Sequence, residues 1–562
     1  MTTTRQPESN VSPKDYAGPE SCRSCHAKNY EKWSTHPHRW MNAIANSDNV
    51  HGDFSGSAVI EYRGGKARFY ESFGEPHMEL WREETRLTYE VLETIGSRFF
   101  QYYVGRLTDG PFPDGHPYRE VDHVLPFGYW LDRQEWVPIV HIGDELPDRL
   151  RVDPFALPQQ PEIGVGFAPY SLMCNVCHTT FPLGDSLIRK PMVLGVQPPY
   201  PIHFDAASYT RDAHPELLGT SVTRSALSDL EIQAAGQAIA LFSAPEHAAS
   251  LGISCEACHL GCDEHVKNPQ KKPRFLPQSQ HLMFEYEGTA DAGRNPRNVN
   301  WICSRCHTGV RPQLAAGMST WNSTEYSDAS RGSCYSQLTC VDCHDPHEAI
   351  GPKWQATATE NDARCIRCHE RYDSPEAIAQ HTHHPVDSSG ARCMNCHMPR
   401  LNEGLQNVVR THMIFSPTEP RMIESNNPNA CNICHTEQPI DWTLDHLKEW
   451  YGATFSDDRI QQHYPNRDES VCAEWLRSKN ESIRLIATDA AARSENESLL
   501  PRLIDLLDDD YLLNRQFAMI ALEKRLDCSL KDFGYRFYMT RSERLLPIEA
   551  IRAVVASGEH QQ

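Results

Sequence analysis

Between residues 58 and 140 apolar and polar positions alternate with a period near two. The stretches "AVIEY" (58–62), "KARFYE" (66–71), "LTYEVLETIG" (87–96), "RFFQYYVG" (98–105), "VDHVLPFGYW" (121–130) and "EWVPIV" (135–140) are β-branched and aromatic, and Gly-Gly, Asp-Gly and Pro signals separate them. The pattern predicts a small β-rich insert over 51–165. Elsewhere the helical period takes over. Ser228 and Glu231 read as a capping box ahead of a helix with Ile232, Ala235, Ile239 and Phe242 on one side. Proline-rich pieces such as "VQPPYPIHF" (196–204) read as extended chain.

Beyond residue 440, "ESIRLIATDAAARS" (481–494), "SLLPRLIDLLDDD" (498–510) and "YLLNRQFAMIALEKRL" (511–526) have helical periodicity and resemble HEAT-type repeats. The expected fold class is therefore mainly α, with long irregular loops, a small β-rich insert near the N-terminus and a HEAT-like C-terminal helical region. Four regions are expected: an N-terminal segment over 1–50, the β-rich insert over 51–165, a core over 166–440 and the helical region over 441–562.

A second pattern overlies the first. Cys-x-x-Cys-His occurs eight times, as Cys22/Cys25/His26, Cys174/Cys177/His178, Cys255/Cys258/His259, Cys303/Cys306/His307, Cys340/Cys343/His344, Cys365/Cys368/His369, Cys393/Cys396/His397 and Cys431/Cys434/His435. Two thiols at this spacing can each add to one vinyl group of a haem, while the adjacent imidazole binds the iron from one face. Zinc sites, disulfide frameworks and thioredoxin-like pairs also use Cys-x-x-Cys, but none requires a histidine after the second cysteine. With 28 histidines in 562 residues, chance would place one there about one time in twenty. All eight have it, so the sequence implies eight covalently attached haem c groups. One socket lies in the N-terminal segment and seven in the core.

The cofactors change how composition is read. Only 39% of residues are apolar and mean hydropathy is -0.57. With about 70 residues per haem, the macrocycles must supply part of the apolar filling. The formal charge of -21 argues against nucleic acid and favours a redox partner with a basic docking patch. One basic stretch, "HVKNPQKKPRF" (265–275), opposes the trend. There is no membrane span, and the N-terminal stretch has no apolar leader. Haem attachment nonetheless implies a periplasmic location, or one otherwise outside the cytoplasmic membrane.

Eight irons in pure electron transfer need eight further axial ligands, and twenty histidines lie outside the sockets. The leading candidates are His38, His265, His347, His383 or His384, and His412, followed by His36, His123, His203 and His281. Full bis-histidine coordination makes a carrier, whereas an open position makes a catalytic haem. The expected function is an electron-carrying octahaem cytochrome. The alternative is an octahaem oxidoreductase acting on a small inorganic nitrogen or sulfur compound, with catalytic residues unassigned. Cys262, Cys334, Cys472 and Cys528 remain, either paired as Cys262–Cys334 and Cys472–Cys528 or as free thiols.

"CRSCHAKNYEKWSTHPHRWM", with Tyr30, Trp33 and His38 after the socket, resembles the tetrahaem cytochrome c of ammonia oxidisers. "CMNCHMPR" (393–400) followed by "THMIF" (411–415) is similar to pentahaem nitrite reductases and octahaem hydroxylamine oxidoreductases, which implies His412 as a distal ligand. The resemblance covers roughly 18–440 and does not transfer activity.

Overall fold

The structure is a computed structural model that describes residues 9–157, 169–189, 199–223, 226–285, 293–309, 311–348 and 356–558. Two compact units emerge. The first comprises Met1–Ile139, Val152–Thr308 and Ser336–Trp354, and the second Val140–Arg151, Gly309–Tyr335 and Gln355–Gln562.

The first unit holds an antiparallel sheet of nine strands: β1 (Asn42–Ile44), β2 (Ser55–Tyr62), β3 (Gly65–Ser72), β4 (Glu75–Arg82), β5 (Thr85–Ile95), β6 (Phe100–Asp109), β7 (His123–Val124), β8 (Phe127–Trp130) and β9 (Glu135–Pro138). Their order is β2-β3-β4-β5-β6-β8-β9, with β1 added on β5 and β7 on β6. The hairpins follow from local chemistry. Tyr62 pairs with Gly65 and Ser72 with Glu75, leaving the two-residue loops Arg63-Gly64 and Phe73-Gly74, all four residues at positive φ. Such loops match the right-handed twist of the flanking strands.

The alternation buries one face. Phe69 stacks on Trp136 with ring centroids 3.5 Å apart, and Phe54 meets Tyr103 and Trp136 edge-on at 5.5 and 5.1 Å. An aromatic interior of this kind brings the far strands β3 and β9 together, and the sheet is nearly closed.

The fold is thus not mainly α with a small β insert. Helices account for 41% of the chain and the large sheet stands beside them. The physical reason is that closure recruits short pieces, including the three-residue β1, that carry almost no periodicity of their own. The capping box does form: Ser228 accepts from the Glu231 N–H, and the Glu231 carboxylate accepts from the Ser228 N–H at 2.9 Å, opening the helix Asp229–Ala240.

In the second unit the helices Glu481–Arg493 and Leu512–Leu526 pack on each other. Leu485, Ile486, Leu503, Phe517 and Leu522 are buried there. Beside them, Arg484 holds buried Asp509 in a two-pronged ion pair at 2.7 and 3.0 Å, which satisfies both charges. Among the described residues no helix is long and apolar enough to cross a membrane.

Candidate functional site

Each socket is one helical turn. In the first, the N–H groups of Cys25 and His26 both donate to the Cys22 carbonyl, at 3.3 and 2.9 Å. The bonding repeats at Cys174, Cys255, Cys303, Cys340, Cys365 and Cys431, and the helix Cys393–His397 contains the remaining socket. Positions three and four apart share a helix face, so each turn presents two thiols and an imidazole side by side. Five sockets fall in the first unit and three in the second.

Composition implies haems set into the core, but the attachment thiols are unequally enclosed. In the fifth socket the N–H groups of Cys343 and His344 donate to the Cys340 carbonyl at 3.2 and 3.0 Å, and Cys343 is half-buried. In the sixth, those of Cys368 and His369 donate to the Cys365 carbonyl at 3.1 and 3.0 Å, yet Cys368 is exposed, as are Cys25 and Cys434. The cause at Cys368 is local. The helix Ala358–Ile366 carries half-buried Cys365 and is capped by Arg367, so Cys368 falls beyond its last turn. The cysteine at the same place in the third socket, Cys258, is half-buried against the cluster of Leu260, Leu276 and Trp301.

The rings opposite the socket imidazoles are informative. His26 faces His265 with ring centroids 6.1 Å apart, His307 faces His38 at 6.2 Å and His259 faces His347 at 6.0 Å, all in the first unit. In the second unit His397 faces His381 at 6.2 Å and His435 faces His384 at 6.0 Å. A metal ion held between two imidazoles, with bonds of about 2 Å each and roughly 1 Å more from nitrogen to ring centre on each side, separates the centroids by about 6 Å. The donor sets therefore fit iron with two axial histidines. Burial favours the neutral, ligating form: it lowers the pKa of His38 to about 3, with the neighbouring His36 and His307 adding to the effect, and that of His259 to about 4.

Backbone carbonyls fix several rings. Nδ1 of His397 donates to the Phe415 carbonyl at 2.9 Å and Nδ1 of His265 to the Lys271 carbonyl at 2.8 Å, leaving Nε2 of each for iron. The basic stretch thus holds His265 through its main chain, while Lys267 and Lys271 pair with Asp263 and Glu264 at 2.6 and 3.4 Å. The His38 loop is tied down by Ile253, whose N–H donates to the His38 carbonyl at 2.8 Å and whose carbonyl accepts from Trp33 Nε1 at 2.8 Å. His36 accepts from the His38 N–H at 2.9 Å.

The run "HTHHP" shows how three histidines are sorted. His381 lies in the last turn of the helix Pro375–Thr382, and His383 follows as its left-handed cap, φ 56°. That reversal lays His383 flat on Trp450, centroids 4.6 Å apart and 5° between planes, and turns His384 toward His435. Sequence reasoning missed His381, although its place in the same run was the available signal. His412 is half-buried just after the strand Val409–Arg410. His123, His203 and His281 bond to the Tyr118 carbonyl, Glu285 and Ser208 respectively.

Sockets also approach one another. Cys22 lies close enough to Cys255 for the two thiols to interact electrostatically, as do Cys177 and Cys306, Cys303 and Cys340, and Cys365 and Cys393. Around Cys177 and Cys306 the contact is reciprocal: each thiol lies 4.0 Å from a carbonyl in the other socket, Arg305 and Val176 respectively. Arg305 Nη1 donates to the Ala257 carbonyl at 3.1 Å, joining the fourth socket to the third. Asn300 accepts from the Cys340 N–H at 2.9 Å, and Asp362 from the Cys393 N–H at 3.1 Å.

The second socket differs. Tyr170 is buried and His178 half-buried, and their ring centroids lie 6.1 Å apart. Neither Tyr170 Oη nor His178 Nδ1 has a hydrogen-bond partner among the described residues. Burial lowers the His178 pKa to about 4 and pushes the Tyr170 phenol far above its ordinary range, the Glu93 carboxyl adding to the latter.

The four cysteines outside the sockets are free thiols, and within the second unit Cys472 and Cys528 are not paired. Cys262 and Cys472 are instead buried against the His259 and Ala487 carbonyls, at 3.1 and 3.8 Å. Small buried thiols of this kind act as apolar filling.

Residues 335–374 match the doubled CXXCH motif family (Paired_CXXCH_1), a span that contains the fifth and sixth sockets. No curated protein shows significant sequence similarity to the chain. Among solved structures, the crystal structure of the outer cell wall cytochrome OcwA is similar over 91% of this chain and 100% of that one, with a TM-score of 0.36 and 13% identity. The doubled motif supports a multihaem c-type cytochrome, consistent with electron transfer.

Proposed function

We propose that the protein is an octahaem electron carrier working outside the cytoplasmic membrane between redox partners. Bound at these sockets, haem c supplies reversible one-electron chemistry. The observation that carries the reading is the set of five socket imidazoles, each facing a second imidazole at 6.0–6.2 Å. His38, His265, His347, His381 and His384 thereby fill axial positions that a substrate would otherwise need. His26, His178, His259, His307, His344, His369, His397 and His435 serve as proximal ligands, and the sixteen socket cysteines, Cys343 and Cys368 included, as attachment points.

Contacts between sockets support an order within each unit. In the first, Cys22 adjoins Cys255, Arg305 joins the third socket to the fourth, and the fourth meets both the second and the fifth. In the second, Cys365 adjoins Cys393, and the Cys434 thiol lies close enough to Cys396 to raise its pKa, so the sixth, seventh and eighth sockets follow in sequence. A surface of net charge -21 suits a basic patch on the partner.

The test is a haem count with a spin-state assignment on the mature protein. Intact mass and pyridine haemochrome absorbance are expected to give eight haems per chain, and electron paramagnetic resonance mainly low-spin ferric signals. Fewer haems, or a mainly high-spin spectrum, would overturn the reading.

A further inference from the structure

We propose that Arg400 and Arg410 raise the potential of the seventh haem above that of the eighth, so that an electron delivered to the eighth moves inward and rests on the seventh. The inference rests on the octahaem reading and deepens it by giving transfer within the second unit a direction.

The first support is a concentration of charge. Arg400 and Arg410 are partners across the antiparallel strands Arg400–Asn402 and Val409–Arg410, which sets two cationic side chains opposite each other. Like charges so placed cost stability. Arg400 Nη1 donates to the Val408 carbonyl at 2.9 Å, and Arg410 donates to the Met394 and Met398 carbonyls at 2.7 and 3.0 Å and to Asn395 Oδ1. None of these acceptors is charged. The nearby carboxylates are engaged elsewhere: Asp489 pairs with Arg493 at 2.8 Å and accepts from the Val408 N–H at 3.2 Å, while Asp362 holds Arg392 and the Cys393 N–H. Cations thus outnumber carboxylates beside this socket, in a chain whose formal charge is -21.

The second support is position. The Arg410 guanidinium bonds inside the seventh socket, since Met394 and Asn395 lie between Cys393 and Cys396. A c-type haem carries its propionates on the edge opposite its thioethers, so the carboxylates of the seventh haem point away from this arginine. Both arginines are half-buried. Burial lowers their pKa values, with Arg493 adding to the effect at each, but Arg410 falls only to about 10 and stays charged at neutral pH. An uncompensated cation in a partly desolvated site stabilises ferrous haem, whose charge is one lower than that of ferric haem, and so raises the potential.

The third support is the contrast with the eighth socket. Every residue from Cys393 to His397 is half-buried, whereas Cys434 is exposed, so water screens charge at the eighth haem and a partner can approach it. His397 Nδ1 donates to the uncharged Phe415 carbonyl, but His435 Nδ1 lies 4.0 Å from the Glu437 carboxylate. A carboxylate on the far nitrogen of a ligating imidazole makes that ligand more basic and favours ferric iron. Arg410 also lies near the Cys434 thiol, yet among the described residues its hydrogen bonds run to the seventh socket.

Reductive titration of the oxidised holoprotein, followed by electron paramagnetic resonance, is the direct test. The low-spin signal missing in His381→Ala marks the seventh haem, and the one missing in His384→Ala marks the eighth. In wild type the seventh signal is expected to disappear at a higher potential than the eighth. Arg400→Gln is expected to narrow the gap, and Arg400→Lys to preserve it because the charge remains. Asp489→Asn, which removes a carboxylate that opposes the arginines, is expected to widen it. An eighth haem that reduces first, a gap unchanged in Arg400→Gln, or a gap that does not widen in Asp489→Asn would overturn the proposal and leave the carrier reading standing. So would equal shifts in Arg400→Gln and Arg400→Lys, which would trace the effect to packing rather than charge. A haem count below eight would instead overturn the carrier reading.

Discussion

His381 lies parallel to His397, with ring centroids 6.2 Å apart and 3° between planes, while His383, two residues on, stacks on Trp450. Adjacent histidines in one run therefore have unlike roles. His381→Ala is expected to open one haem, seen as a new high-spin signal and carbon monoxide uptake of one further haem. His381→Met, with a thioether in place of imidazole, is expected to raise one midpoint potential in a spectroelectrochemical titration. His383→Ala should leave spectra and potentials unchanged and lower stability by about 0.5–1.5 kcal/mol through the lost stack. A spectral change in His383→Ala comparable to that in His381→Ala would contradict the assignment.

Gly252 sits at φ +69° where the chain passes the His38 loop. A Cβ added there would clash with the Arg39 carbonyl oxygen and stand 3.0 Å from that of His38. Gly252→Ala therefore imposes left-handed strain of about 1–2 kcal/mol and pushes on backbone that cannot yield independently of His38. A lower melting temperature together with partial loss of the low-spin signal from the His307 haem is expected. Lower stability with every axial ligand intact would show that the loop moves without carrying His38 away.

These two cases show what could be read in the sequence and what could not. The sockets were legible because their chemistry needs three residues at fixed, local spacing. Opposing imidazoles come from elsewhere in the chain: His38 lies 269 positions from His307, and no local pattern records that pairing. His265 and His347 stood out by their nearness to sockets, whereas His381 was lost among its neighbours because its direction depends on the left-handed cap at His383. How far each socket is covered was not legible either, since the exposed Cys368 and the half-buried Cys343 stand at the same place in the same motif. Strands were legible as alternation. The extent of the sheet was not, because closure depends on contacts such as that between Phe69 and Trp136, 67 residues apart.

Asp362 is buried and joins two sockets, its oxygens accepting from the Cys393 N–H and from Arg392 Nη1, both at 3.1 Å. Asp362→Ala removes the acceptor of both donors, which are half-buried, at a cost of about 1–3 kcal/mol in all. Asp362→Asn keeps one acceptor oxygen and should fall between. Chemical denaturation followed by haem absorbance is expected to rank the proteins wild type, Asn, Ala. An Ala variant as stable as wild type would mean that water replaces the carboxylate without penalty.

Glu403 is buried in the second unit, and burial, reinforced by Asp144 and Glu481, pushes its pKa up to about 8 against the opposing effects of Ser482 and Arg311. In the unfolded chain the same carboxyl titrates near 4.5. The folded protein thus holds a proton that the unfolded chain releases. This contribution to stability is complete below about pH 4.5 and is lost as pH rises toward and through about 8. Glu403→Gln removes the titration while keeping the shape of the protonated acid. The difference in melting temperature, variant minus wild type, is therefore expected to grow in favour of the variant between pH 5 and pH 9, whatever other groups do to both proteins. A difference that stays flat, or that favours wild type at the alkaline end, would mean that Glu403 is ionised in the folded protein and that Arg311 prevails over its burial.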